Sequence, residues 1–118
     1  YLAAERRDFP AALAILHSIE AVAPISAGTA VEAGYVLNQS GKPEEGVAAY
    51  RRAYALAEKY PSQRMYRAAA LRGIGSGLID LKRLDDAKRA FLESLEVEPG
   101  NKVALNELAY IQELQGSR

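Results

Sequence analysis

The stretch AGYVLNQSGKPEEGVAAYRRA, residues 33–53, decides the fold. Apolar side chains recur at spacings of three and four on both sides of a break at Ser40-Gly41-Lys42-Pro43, which is the period of an amphipathic helix. Ser40-Gly41 reads as a helix end and Pro43 as the first turn of the next helix. Within that second helix the small Gly46 is followed four residues later by the bulky Tyr50. The same pairing recurs at Ala12 with Leu16 and at Ala87 with Phe91, after the turns RRDFPAA (6–12) and LKRLDDA (81–87). Ala12 and Gly46 are 34 residues apart, and Gly46 and Ala87 are 41 apart. A repeat of this length implies a solenoid of stacked helix pairs in which no single pair has its own core.

Breakers divide the rest of the chain in the same way. Asp8-Phe9-Pro10 opens a helix that runs to about Val22, before Pro24. Further helices are expected over Ala27 to Gln39 and over Pro43 to about Lys59. The next starts at Pro61-Ser62, with Ser62 as its cap, and reaches about Leu81. The last two run from about Leu84 to Val97 and, capped by Asn101, to about Gln115. No stretch alternates as a strand does. Small residues mark where helices cross closely: Ala12, Gly46 and Ala87 near the start of each second helix, and Gly34, Gly75 and Ala109 midway along each first helix.

Composition bounds the function. At 118 residues the chain makes one small domain, and 49% hydrophobic residues can build a core. Lysine plus arginine equals aspartate plus glutamate at 15 each, which argues against binding driven by phosphate neutralisation and against a polybasic membrane anchor. Cysteine is absent, so there is no disulfide framework and no thiolate zinc site. No apolar stretch approaches the roughly 18 residues of a membrane span, so no membrane insertion is expected. The chain opens at Tyr1 on what reads as the end of a helix, as a fragment or a processed form would. Cytoplasm and a bacterial periplasm or envelope fit equally well.

The residues resemble the tetratricopeptide repeat family. Ala30, Ala33-Gly34 and Leu37 precede Gly46, Tyr50 and Ala53; Leu71, Ile74-Gly75 and Leu78 precede Ala87, Phe91, Ser94 and Pro99. Leu105 and Leu108-Ala109 open another unit, while Ala12, Leu16, Ile19 and Pro24 close one. The resemblance implies an all-α, right-handed superhelical solenoid of antiparallel helix pairs, about three repeats plus a terminal helix. It divides one domain, 1–118, into a partial repeat (1–24), a repeat (27–60), a repeat with a lengthened first helix (62–100) and a terminal half repeat or capping helix (101–118). The segment ALAEKYPSQRMYRAA departs from the pattern by inserting about seven residues.

In this family the first helices line a concave groove that binds peptides or partner helices. Carried over by register, the resemblance puts Val31, Tyr35, Asn38, Arg72, Ser76, Ile79, Asn106 and Tyr110 in that groove. Some members clamp a carboxylate terminus with Lys, Asn and Arg; the corresponding positions hold Glu32, Ala69 and Gly73, so that specific function is not expected. A protein or peptide partner is the expectation, with no nucleic acid and no cofactor. The helix from Asn101 is apolar on more than one face, with Val103, Leu105, Leu108, Ile111 and Leu114, and is a candidate for self-association or for contact with further repeats.

Other motifs have plainer readings. Gly73-Ile74-Gly75-Ser76-Gly77 lies in helical phase with the residues before it, whereas a phosphate loop must follow a strand and open a helix. His17 is the single histidine and has no nucleophile motif or further metal ligands to act with. The carboxylates Glu44-Glu45, Asp85-Asp86 and Glu93, Glu96 and Glu98 fall in turns or on polar helix faces. Arg64 and Arg67, with Arg72, form a basic patch on the inserted segment that could dock an acidic partner. A non-catalytic interaction scaffold is the leading reading. The alternatives are a rigid segment of a larger multi-repeat assembly, a helical accessory of an enzyme, and a single-stranded RNA binder, which net neutrality disfavours. The register makes one prediction: Gly46→Leu or Ala87→Leu overpacks a helix crossing and lowers the melting temperature by several degrees, whereas an unchanged melt contradicts the pairing.

Overall fold

A computed structural model describes residues 26–116. It contains α1 (Ala27–Gln39), α2 (Pro43–Glu58), a 3-10 turn (Pro61–Gln63), α3 (Arg64–Asp80), α4 (Leu84–Val97) and α5 (Lys102–Gly116). The described residues contain no strand. Each helix packs on the next, and the short connections make neighbours antiparallel. In addition α1 touches α3, and α3 touches α5. The first helices therefore form one contiguous layer. The second helices, α2 and α4, are splayed, and a cavity of about 290 Å³ opens between them, lined by Arg51, Tyr54, Arg89 and Glu93 over Leu71, Ile74 and Leu78. Close first helices and splayed second helices place α1, α3 and α5 on the inner side of the curve.

The helix ends follow the punctuation of the sequence, with one exception. Ser26 caps α1 by accepting from the Thr29 N–H at 3.1 Å, and Asn101 Oδ1 caps α5 by accepting from the Ala104 N–H at 3.1 Å. Pro43 opens α2. Ser62 does not cap α3: it lies in the 3-10 turn, and the cap position is Gln63, which makes no side-chain cap bond. The inserted segment is spent on this turn and on longer helices, since α2 has 16 residues and α3 has 17 against 13 in α1. The expected helix 8–22, with Ala12, Leu16, His17 and Ile19, lies outside the described residues.

The core is rich in alanine and organised by two rings. Ala30, Ala53, Ala70, Ala87, Ala90 and Ala104 are buried around Tyr50 and Phe91, with Val47, Ile74, Leu78 and Ile111. Tyr50 lies against both Gly34 and Gly73: a Cβ at Gly34 would stand 2.6 Å from Tyr50 Cδ2, and one at Gly73 would collide with the Tyr50 ring. Phe91 lies against Gly75, where a Cβ would stand 2.5 Å from Cε2. Each notch admits a ring between helices that a methyl group would hold apart. The Gly73–Gly77 segment is thus part of one continuous helix, packed on Tyr50, Phe91 and Val47, and not a phosphate loop. Ala109, at the register of Gly34 and Gly75, is exposed and takes no ring from the described residues.

Polar contacts fix the ends of α4. Asp86 bridges Arg89 and Arg83, and the hydrogen bond from Arg89, with that from Arg83, holds its carboxyl below the usual carboxylate range. Asp85 Oδ1 accepts from Gln115 Nε2 at 2.8 Å, tying the end of α5 to the start of α4. Buried Ser94 satisfies itself by donating to the Phe91 carbonyl at 2.7 Å.

The turns after α1 and α3 share one backbone form. Gly41 has φ +81°, its N–H bonds Asn38 O at 3.2 Å, and the Lys42 N–H bonds Leu37 O at 2.9 Å. After α3 the Lys82 N–H bonds Ile79 O at 2.9 Å and the Arg83 N–H bonds Leu78 O at 2.8 Å, with Lys82 at φ +62°. Lysine thus occupies a left-handed position that glycine fills one repeat earlier. Left-handed backbone costs a non-glycine residue roughly 1–2 kcal/mol, and glycine's greater unfolded-state freedom takes back about half of that. Lys82→Gly is therefore expected to raise stability by about 0.5–1 kcal/mol. Chemical denaturation checks this, and a loss of stability contradicts it.

Candidate functional site: the face of the first helices

Three equivalent helices build one face. Tyr35, Ser76 and Tyr110 occupy the same register on α1, α3 and α5, as do Val31, Arg72 and Asn106. Tyr35 is 47% exposed and Tyr110 46%, and Ser76 and Asn106 are exposed as well. Met65 on α3 and Val103 on α5 lie about two helical turns before Arg72 and Tyr110 and extend the face; they are 64% and 56% exposed. Of the seven exposed large apolar side chains among the described residues, four (Tyr35, Met65, Val103 and Tyr110) belong to this face.

The remaining expected groove residues are set deeper. Val31 and Ile79 are half-buried and pack against the core. Asn38 is turned into the junction of α1, α2 and α3. Its Nδ2 donates to the Gly73 carbonyl at 3.3 Å, while its Oδ1 is buried against Gly46 without a hydrogen-bond partner among the described residues. Asn38 therefore holds helices together, and a Cβ at residue 46 would collide with its amide.

Arg72 is already engaged. Its Nη1 donates to Glu98 Oε1 at 2.5 Å, linking α3 to the connection that follows α4. The other two arginines of the basic segment also make structural contacts. Arg64 donates to the Val97 carbonyl at 2.6 Å, at the C-terminal end of α4 where the helix dipole favours a cation. Arg67 lies over the Tyr54 ring, 5.8 Å from its centroid, with its Nε buried and without a hydrogen-bond partner among the described residues. Sequence reasoning missed these roles because each partner comes from a different helix or connection.

Tyr50 lies under the face and shapes it. With Gly73 leaving its position bare, the Tyr50 ring reaches between α1 and α3. Burial, reinforced by the nearby Tyr35 phenol, pushes the Tyr50 pKa from 10.0 up to about 12. The folded state thus holds this proton more tightly than the unfolded chain. The resulting stability is fully present below pH 10 and is lost as pH rises through about 12. Tyr50→Phe is expected to remove the last-titrating phenol from the ultraviolet titration. It should also flatten a fall in stability of up to about 2 kcal/mol across that window. An unchanged titration curve contradicts the assignment.

The described residues hold no group of three or more histidine, cysteine or acidic side chains able to bind a metal ion. None of their helices is long and apolar enough to cross a membrane. Two solved structures share the fold. The first tetratricopeptide repeat domain of the human RPAP3 protein, solved by NMR, superposes with a TM-score of 0.83 at 22% identity, covering 98% of this chain and 85% of that one. The second such domain of human RPAP3, in complex with the HSP70 peptide SGPTIEEVD, gives 0.81 at 24% identity, covering 93% and 86%. No curated protein matches the chain. The tetratricopeptide repeat model matches residues 26–97, the span that holds the ring-and-glycine pairs, and the chain belongs to the tetratricopeptide repeat family.

Proposed function

We propose that this protein is a non-catalytic interaction module that binds an extended peptide, or a segment of a partner protein, along the face of α1, α3 and α5. One observation carries the reading: among the described residues, four of the seven exposed large apolar side chains gather on this face of three adjacent helices, with Tyr35 and Tyr110 at one register position. Tyrosines suit such a surface, because each offers large contact area with a hydrogen-bonding tip and few rotatable bonds. A preformed helical surface also lowers the ordering cost on the protein's side of the complex. The second RPAP3 domain, which carries the same fold, binds a peptide ending in acidic residues. Here Glu32, Ala69 and Gly73 stand where a carboxylate clamp needs Lys, Asn and Arg, so the ligand differs in chemistry.

A second reading, a rigid segment within a larger stack, has its own observation. Leu92 and Leu105 are 47% and 48% exposed beside an open cavity of about 450 Å³ between α4 and α5. A helix seated there would extend the solenoid.

Peptides selected from a random displayed library against the wild-type chain test the first reading. Tyr35→Ala/Tyr110→Ala is expected to weaken the selected peptides at least about tenfold, as loss of aromatic anchors does, with an unchanged melt. Equal binding by both proteins moves the interaction off this face.

A further inference from the structure

We propose that the face of α1, α3 and α5 selects a cationic segment: an extended peptide that alternates Lys or Arg with apolar side chains. This deepens the groove reading above and rests on it. Each first helix contributes a carboxylate within or beside the face, Glu32 on α1, Asp80 on α3 and Glu107 on α5, while Glu113, at the register of Ile79 on α5, is already engaged. None of the first three has an ion pair or hydrogen bond among the described residues. Glu32 and Glu107 share a register position, with the bare Gly73 between them on α3.

The arginines of these three helices are already engaged, and the remaining cation is exposed Lys102, at the N-terminal end of α5. Arg72 is the guanidinium at the groove positions, and Glu98 holds it at 2.5 Å. Arg64 donates to the Val97 carbonyl and Arg67 stacks on Tyr54, away from the face. An incoming carboxylate would have to displace Glu98 from Arg72 while facing three carboxylates that have no partner among the described residues. An incoming ammonium or guanidinium meets those carboxylates directly. The aromatic component agrees, because Tyr35 and Tyr110 are exposed and aromatic rings attract cations. The carboxylates are spread over three helices among aromatic and aliphatic side chains, so the surface matches a segment with charge and apolar groups in alternation and not a bare metal ion.

Three synthetic peptides on one scaffold test this, with Leu and Tyr at alternate positions and Lys, Gln or Glu between them, measured by fluorescence anisotropy at two salt concentrations. The Lys peptide is expected to bind at least about tenfold tighter than the Gln peptide, with the gap shrinking as salt rises. The Glu peptide is expected to bind weakest. Glu32→Gln/Asp80→Asn/Glu107→Gln should remove the Lys preference while leaving the Gln peptide's affinity unchanged. Glu98→Gln should strengthen the Glu peptide by releasing Arg72. A melt of each variant confirms folding, and the Gln peptide serves as the internal control. Equal binding of Lys and Gln peptides, both lost in Tyr35→Ala/Tyr110→Ala, overturns the charge selection and leaves the groove intact. Lys-peptide binding that survives the tyrosine variant overturns the groove as well. A Glu peptide that binds as tightly as the Lys peptide, or no binding by any of the three, overturns the cationic ligand.

Discussion

The whole arrangement depends on how close two helices can come with an aromatic ring between them. Tyr50 fits only because Gly34 and Gly73 present no side chain to it, and Phe91 fits only over Gly75. Interior packing leaves no slack for an added methyl at such contacts. The helix spacing is thus set by ring thickness against bare backbone, and the alanines around the rings let the remaining crossings follow. Because Tyr50 spans from its own helix pair to the first helix of the next, one side chain sets both the pairing within a repeat and the stacking between repeats. The adjacency of α1, α3 and α5, and so the continuity of the face they present, follows from that contact.

Much of this is legible in the sequence, for reasons that are local. Pro43, the Ser40-Gly41 stop and the Asn101 cap act within a few residues of themselves, so the ends they predict match the observed helices. Where local rules meet longer-range forces the reading is less complete. Ser62 has the chemistry of a cap, yet the chain takes a 3-10 turn first and α3 begins after Gln63. Lys82 carries no turn signal, and its left-handed backbone is recognisable only by its register with Gly41. The arginines of the inserted segment read as a free basic patch. Their partners, Val97 O, the Tyr54 ring and Glu98, are supplied by other elements, and no spacing rule for a single helix predicts such pairings. Ala109 shows the reverse case: the sequence marks a close crossing, and the described residues provide no ring to fill it.

The face of the first helices combines two tiers of side chain. Tyr35, Met65, Val103 and Tyr110 stand out from it, while Val31, Asn38 and Ile79 sink between helices and Arg72 is held by Glu98. Outer positions are free to change without disturbing the scaffold, whereas a change at a deeper one alters the packing between helices. Arg72 belongs to both tiers: its charge lies near the surface, but its bond secures the connection between α4 and α5.

The contact between Asn38 and Gly46 links two positions in descent as well as in space. Any side chain at 46 would run into the Asn38 amide, and a shorter residue at 38 would release the Gly73 carbonyl that the amide reaches. Neither site can drift alone without passing through a poorly packed intermediate. The lineage of this repeat is therefore expected to change the pair together or not at all. That makes the identity of residue 46 a marker of ancestry that does not depend on what the protein binds.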